Sequence, residues 1–390
     1  MNKLLSYLIA LCVIVCGIGG LAPTASAQDN QKPKKEDVMK LIKTAKGDTI
    51  TLKEYKTVLL TFEKFDVDDR RLDFEWDCPL SSVNSQVKWD YKFPEGRDAL
   101  VAELLTNESP KIRSVAITQI DVYTWRNNGY IKKLLDVLKD EKEPFVINTA
   151  LNLFKMYFDD EEGIEQFVLS HVDDENPKIR ETVSSVLTFD EDNKKVDGVV
   201  DAMRKLIYDP DVNVRNQALS DVSRLHDDSF VDDVEKILED PVKYPYSQSS
   251  ALGSLYSFWY DFPFFKHTNQ KAYEICVKKL TKKPYTNDNQ PDSYIVSKLY
   301  YRGNADSMEK WKKMATFYSD EQWAKYMIDI AIDANVNYYT RCSAVKTIAT
   351  VGTKADLEKI KKTVSARPDT EKGKKDVLEE IDKQLEKLNK

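Results

Sequence analysis

The side chains best suited to chemistry in this chain are three histidines, five cysteines and 65 Asp and Glu residues. None of the histidines, His171, His226 and His267, has a second His or a Cys at metal-ligand spacing. His171 and His226 fall near helix ends, where they read as caps or surface groups. The acidic runs Asp66 to Asp69 and Asp190 to Asn193 lack the D-x-D-x-D-G spacing with a later Glu that calcium requires. Gly47-Asp48-Thr49-Ile50 ahead of Glu54 echoes the exit of a calcium loop, but Lys43 and Ala45 upstream cannot coordinate the ion. Cys276 lies nine residues from His267, a spacing that does not put a thiol and its base on adjacent helical turns. There is no G-x-S-x-G elbow, P-loop or Gly-rich dinucleotide loop. The sequence therefore predicts no catalytic residue, no metal and no cofactor, and so no enzyme.

The anomaly is aromatic. Of 41 aromatic residues, 21 lie between Tyr244 and Tyr339, about a quarter of the chain. Tyr and Trp dominate recognition hot spots and stack on sugars and peptides. On that ground Tyr256, Trp259, Tyr260, Trp311 and Trp323 are the candidate binding residues. The competing reading is that irregular, wider-spaced helices need bulky side chains to fill their core. Adjacent pairs such as Tyr300-Tyr301 point opposite ways on a helix, which predicts exposure for some.

The elements that would position these side chains are helices in a repeat. Ser109-Pro110-Lys111-Ile112-Arg113, Glu143-Pro144-Phe145-Val146, Asn176-Pro177-Lys178-Ile179-Arg180, Asp209-Pro210-Asp211-Val212 and Asp240-Pro241-Val242 each open a unit. A small or apolar marker follows at Ala116, Ala150, Val183, Ala218 and Ala251, in steps of 34, 33, 35 and 33. Apolar residues then recur at helical spacing, as in Ile117 and Ile120 or Leu151 and Phe154. Amphipathic stripes at Tyr130 to Leu138, Ile164 to Val172, Val199 to Ile207 and Phe230 to Leu238 supply an intervening helix in each unit, bounded by Asp, Asn, Gly and Pro. One such pair cannot bury its apolar faces alone, and stacking on neighbours supplies the core.

Asp209-Pro210-Asp211-Val212-Asn213-Val214-Arg215, with Ala218 three residues on, resembles the turn and second-helix start of a HEAT repeat. The likeness covers residues 97 to 260 and returns at Arg341, Ala344, Val345 and Ile348. The resemblance implies an all-α fold, an alpha-alpha superhelix (HEAT-type solenoid) with an irregular N-terminal segment. It also implies a hydrogen-bonded ladder between turn Asp and helix Arg. Asp140, Asp174, Asp209 and Asp240 stand at the turns, and Arg113, Arg180, Arg215 and Arg341 at the Arg position. Ile147 and Gln248 depart from it, so the ladder is expected to break there. The motif is nearly silent on function.

Along the chain the expected divisions are a signal peptide at 1–27, a flexible segment at 28–50, an irregular N-terminal cap region at 51–96, regular repeats at 97–260, irregular aromatic-rich helical repeats at 261–335, and a last repeat with a capping helix at 336–390. Thr51-x-x-Glu54 is a capping-box pattern opening a helix to about Phe65, and residues 66 to 92 read as a long loop or a short hairpin. Lys3, the uncharged stretch Leu4 to Leu21 and Ala25-Ser26-Ala27 form a secretory signal cut after Ala27. An uncleaved anchor or a lipoprotein at Cys16 fits less well, because glycines and an A-x-A site end the run and the bulky Val15 precedes the cysteine. The chain is thus expected to be periplasmic or secreted, and not an integral membrane protein after cleavage. Cys12 and Cys16 leave with the signal. Cys78, Cys276 and Cys342 remain, with Cys276–Cys342 the better pairing and three free buried thiols the alternative.

The formal charge is −7, and −8 without Lys3, which leaves no electrostatic footprint for nucleic acid. The expected function is a non-catalytic extracytoplasmic scaffold. It would bind a protein or peptide partner along a concave face lined by the second helix of each unit. The alternatives are a carbohydrate-binding protein using Trp259, Trp311 or Trp323, or a lyase or hydrolase of the kind some HEAT-like families contain.

Overall fold

The computed structural model describes residues 36, 38, 50–81, 94–158, 163–287, 289–299 and 305–389. The signal sequence, the polar segment before residue 36, Trp89 and the Tyr300-Tyr301 pair lie outside the described residues. What is described is an all-α superhelical stack of nineteen α-helices with a single two-stranded hairpin.

The chain enters through α1 (Leu52–Thr61), started by a reciprocal capping box. Glu54 N–H donates to the Thr51 hydroxyl at 3.2 Å, and Thr51 N–H donates to the Glu54 carboxylate at 2.9 Å. A 3-10 turn continues to Lys64, and β1 (Val67–Asp68) then pairs antiparallel with β2 (Asp73–Phe74). The regular region follows as α2 (Arg97–Leu104), α3 (Pro110–Thr118), α4 (Val122–Asn127), α5 (Tyr130–Leu138), α6 (Pro144–Phe154), α7 (Ile164–Ser170), α8 (Pro177–Leu187), α9 (Val199–Ile207), α10 (Val212–Asp221), α11 (Val231–Glu239) and α12 (Gln248–Trp259). The rest is α13 (Gln270–Thr281), α14 (Ser293–Lys298), α15 (Ala305–Met314), α16 (Asp320–Ile332), α17 (Tyr338–Val351), α18 (Lys354–Ser365) and α19 (Lys374–Leu388). No helix among the described residues is long and apolar enough to cross a membrane.

Two local rules generate the repeat. Proline opens the marker helices α3, α6 and α8, where its missing N–H costs nothing. A left-handed glycine precedes the intervening helices α5, α7 and α9, at Gly129, Gly163 and Gly198 with φ of 71°, 97° and 87°. All five markers, Ala116, Ala150, Val183, Ala218 and Ala251, are fully buried. They sit where α3 packs on α6, α6 on α8, α8 on α10 and α10 on α12. A small side chain there lets neighbouring helices approach, and Leu151, Phe154, Val186, Leu187, Leu219 and Leu255, none of them exposed, fill the space between. At the far end α16 and α19 pack on α17, and α18 on α19. Val377 and Ile381 point in, while Leu388 is 47% exposed.

An arginine ladder links successive turns, with partners that differ in part from those the sequence suggested. Arg113 holds Glu141, not Asp140, through Nε at 2.8 Å and Nη2 at 2.9 Å. Arg180 holds Asp209 in the same two-pronged way, at 2.8 and 2.9 Å. In both, Nη1 donates to a carbonyl six residues back, Asn107 O or Asp174 O. Each arginine thus ties its own turn to the next one. Arg215 keeps the backward bond, to Asp209 O at 2.7 Å, but its forward partners are the Ser247 hydroxyl and Pro245 O, not Asp240. The residues inserted between Asp240 and Ser247 account for the change. Arg341, fully buried, reaches Glu371 at 2.7 Å. At the two departures, Ile147 joins the core, and the Gln248 amide donates to Tyr244 O at 2.9 Å, replacing part of the lost guanidinium.

Removing one partner of a largely buried, bidentate pair costs about 3 kcal/mol. Asp209→Ala and Glu141→Ala are each expected to lower stability in urea by about that much, while Asp140→Ala changes it by less than about 0.5 kcal/mol. Equal losses for Asp140→Ala and Glu141→Ala would contradict the ladder.

Candidate functional site

The five nominated aromatics are core, which corrects the expectation that they form a recognition surface. Tyr256 and Tyr260 are 1% exposed, and Trp259, Trp311 and Trp323 are 0% exposed. Trp259 lies at the centre. Its ring is 4.9 Å from Tyr256, 5.2 Å from Trp323 and 5.9 Å from Trp311, and Tyr260 meets Trp311 edge-on at 4.9 Å. The Trp311 indole N–H donates to Trp259 O at 3.1 Å. The physical reason is the spacing of α12, α13, α15 and α16, which stack less regularly than the marker helices and need rings to fill the gap. Trp259, Trp311 and Trp323, the rings named for stacking on sugars, present no exposed face. Exposure instead belongs to Tyr246, Phe262, Phe264, Tyr294 and Tyr339, which the density of aromatics alone does not single out.

The thiols offer no nucleophile. Cys78, Cys276 and Cys342 are all free, so the Cys276–Cys342 pairing is not formed. Burial pushes the Cys78 thiol up to about 11 and raises Cys276 and Cys342 as well. His267 hydrogen-bonds Asp228 at 2.9 Å. Among the described residues, no group of three or more His, Cys, Asp and Glu side chains could hold a metal ion. A cleft of about 670 Å³ lies among α2, α3, α4 and α5, lined by Arg97, Asp98, Gln119, Asp121, Thr124 and Tyr130 among others. Asp98 there accepts from the Trp125 indole at 3.1 Å and pairs with Arg97 at 3.4 Å.

Two further arrangements carry polar chemistry. The first is the open face of the marker helices. Two residues beyond each marker stand Thr118, Asn152, Ser185, Ser220 and Gly253, all exposed or half-buried, small and uncharged. Several spend their donors within the layer: Asn152 on Asn148 O, Ser220 on Asn216 O, Ser185 on Asp221. Asp221 is itself buried, and accepts from Ser184 at 3.3 Å, Ser185 at 3.2 Å, Gln217 at 2.7 Å and Arg224 at 3.2 Å.

The second is a histidine junction that sequence reading missed. His226 and His267, 41 positions apart, stack with ring centroids 5.0 Å apart. His226 sits in the left-handed region at φ 48°, after the short 3-10 turn Val222–Leu225 that follows α10. Its Nδ1 is 2.6 Å from Glu191 and its Nε2 3.4 Å from Asp261. Lys266 pairs with Glu191 at 2.9 Å, and the Lys194 ammonium donates to His226 O at 3.1 Å. Burial pulls the His226 pKa down, but hydrogen bonds and charge from Asp261 and then Glu191 outweigh it and leave it raised. His267 is lowered, by burial first and by the neighbouring His226 charge, against the pull of Asp228. A loop–loop contact of this kind leaves no periodic signal. Only the oddity of two histidines flanking the aromatic run could have flagged it.

Two outcomes follow. In a Trp76→Phe, Trp89→Phe variant the remaining tryptophans are all fully buried, so their emission is expected to resist acrylamide and to ignore a glycan panel. Quenching near that of free tryptophan would contradict the packing. The two histidines are expected to titrate by NMR on opposite sides of about 6.5, His226 above and His267 below. His226 binds its proton more tightly folded than unfolded. Its contribution is therefore complete below the unfolded value and lost as pH rises through the raised one. His267, lowered, contributes above its unfolded value, and that contribution is lost as pH falls through the lowered one. Against His226→Gln, the stability advantage of the natural chain is expected to shrink as pH rises. An advantage that grows with pH would reverse the assignment.

No known family matches this chain, and no curated protein matches it. A solved structure of an engineered protein aligns over 91% of this chain and 99% of its own, at 12% identity and a TM-score of 0.33. A likeness that distant carries no argument, and the chain's chemistry has to be read from its own residues.

Proposed function

We propose that this chain is a HEAT-type scaffold that works outside the cytoplasm and binds a protein or peptide partner along the open face of its marker helices, without turnover. The observation that carries the reading is the row Asn152, Ser185, Ser220 and Gly253. These residues recur at one register on four consecutive stacked helices. Bulky or charged side chains there would separate a polypeptide from the layer, whereas small neutral ones let it lie close. The Arg180–Asp209 link between turns supports the HEAT-type description. The signal-like first 27 residues support export. Free thiols whose pKa values burial raises, and a Ser170–His171 contact in which both side chains are already engaged with Phe167 O, at 2.7 and 2.8 Å, favour binding over catalysis.

Placing a photo-crosslinking amino acid at Ser220 tests the face, with Lys205 on the intervening helix α9 as control. Crosslinks to an extracytoplasmic polypeptide are expected from Ser220 and not from Lys205. Equal yields from both positions, or none from Ser220, would sink the proposal. Sequencing the mature chain is expected to give Gln28 as its first residue, and a product retaining Met1 would remove the export half of the reading.

A further inference from the structure

Among the described residues, three polar ties join the loop Asp261–His267 to the regular region. Lys266 pairs with Glu191 at 2.9 Å, His226 Nε2 faces Asp261 at 3.4 Å, and His267 Nε2 faces Asp228 at 2.9 Å. The His226 ring couples the last two, because it stacks on His267 with centroids 5.0 Å apart and 14° between the planes. Its Nδ1 is 2.6 Å from Glu191, so both of its nitrogens face carboxylates. Within the loop the Lys266 N–H donates to the Asp261 carboxylate at 2.9 Å. Phe265 is held at φ 50°, a region that a bulky side chain occupies only where its surroundings force it. Phe262 and Phe264 beside it are exposed. The other charges on these elements are engaged elsewhere: Asp192 with Lys195, Arg224 with Asp221, Asp190 with the Asp192 N–H, Asp227 with the Ser229 N–H, and Lys194 with His226 O. The acidic run Asp159 to Glu162 lies outside the described residues, one unit before the turn of Glu191. Negative charge there raises both histidines together, so it shifts their titrations without merging them.

We propose that the loop Asp261–His267 is a proton-counting latch, shut when the two stacked rings carry one extra proton between them and loosened when they carry none or two. A neutral imidazole has one N–H and one lone pair, so an uncharged His226 satisfies one of its carboxylates and turns a lone pair on the other. With one extra proton His226 donates to both, and neutral His267 keeps an N–H for Asp228. With two, like charges lie face to face in a half-buried site and repel. At His226 burial is outweighed by Asp261 and Glu191, which raises the pKa; at His267 burial, helped by the His226 charge, outweighs Asp228 and lowers it. The one-proton state therefore has its own pH window. Its upper edge is the loss of the His226 proton, and its lower edge is the gain of a proton by His267. Opening on either side relieves the strained backbone at Phe265 and frees the apolar tip Phe262-Pro263-Phe264. The latch does not depend on the scaffold reading.

The test is hydrogen exchange on the full chain, read as protection factors for residues 260–269 between about pH 4.5 and about pH 9, either side of the histidine range. Protection there is expected to peak inside the window and to fall about fivefold on each side, while α9 and α11 hold theirs. His267→Gln is expected to abolish the acid limb and keep the alkaline one. His226→Gln is expected to abolish the alkaline limb. Glutamine keeps an N–H for a facing carboxylate and carries no charge, so a purely structural role for either ring would lower protection equally at every pH. Protection that is flat, or that changes in one direction only across the range, overturns the inference. So does a pH response shared by α9 and α11, which marks global unfolding, and so do variants that keep both limbs. The profile of the natural chain decides on its own if a variant does not fold.

Discussion

Everything in this molecule depends on the close approach of one marker helix to the next. A pair of short amphipathic helices has too little apolar surface to hold itself together. It becomes stable when α8 lies against α6 and α10, with Val183 and Ala218 at the points of contact. Once that contact is fixed, the arginine ladder falls into reach, the intervening helices are carried to the other layer, and Asn152, Ser185, Ser220 and Gly253 are left exposed or half-buried among the described residues. The proposed binding face is a consequence of the stacking rather than a separate device.

The irregular half shows what happens when that spacing is lost. Between α12 and α17 the units lengthen, and the marker spacing is lost until Ala344, again fully buried, restores it. Trp259, Trp311, Trp323 and Tyr273 close the gap, edge to face and tilted, with ring centroids 5 to 6 Å apart. The same side chains that make sticky surfaces elsewhere are consumed here as filler. The junction of His226 and His267 sits near the change of regime, beside the loop that holds Asp261 and Lys266. It pins the aromatic block to the 3-10 turn Glu191–Lys195 of the regular region.

How much was legible in the sequence varied with the range of the interaction. The markers, the proline starts and the stripes of α5 and α9 obey local periodicity, and they read cleanly. The capping box at Thr51 and Glu54 did too, since its partners are three residues apart. Asp140 against Glu141 as the partner of Arg113 is a difference of one residue in a turn, and turn geometry is invisible to a repeat pattern. Ser247 replaced Asp240 because of an insertion whose path the sequence does not give. For Trp259 the sequence leaves surface and core both open, because burial in the irregular half depends on four helices meeting, and residue spacing within one helix says nothing of the others; the core reading is the one the structure bears out. His226 and His267 met for the same non-local reason.

The stacking claim is tested most directly by hydrogen exchange on an Ala218→Leu variant, which wedges α10 away from α8 and α12. If neighbours stabilise neighbours, amide protection is expected to drop in α8 through α12 and to persist in α17, α18 and α19. Uniform loss of protection from α3 to α19 would mean a single cooperative core, and would contradict the account. No loss at all would mean that the marker contacts carry no load.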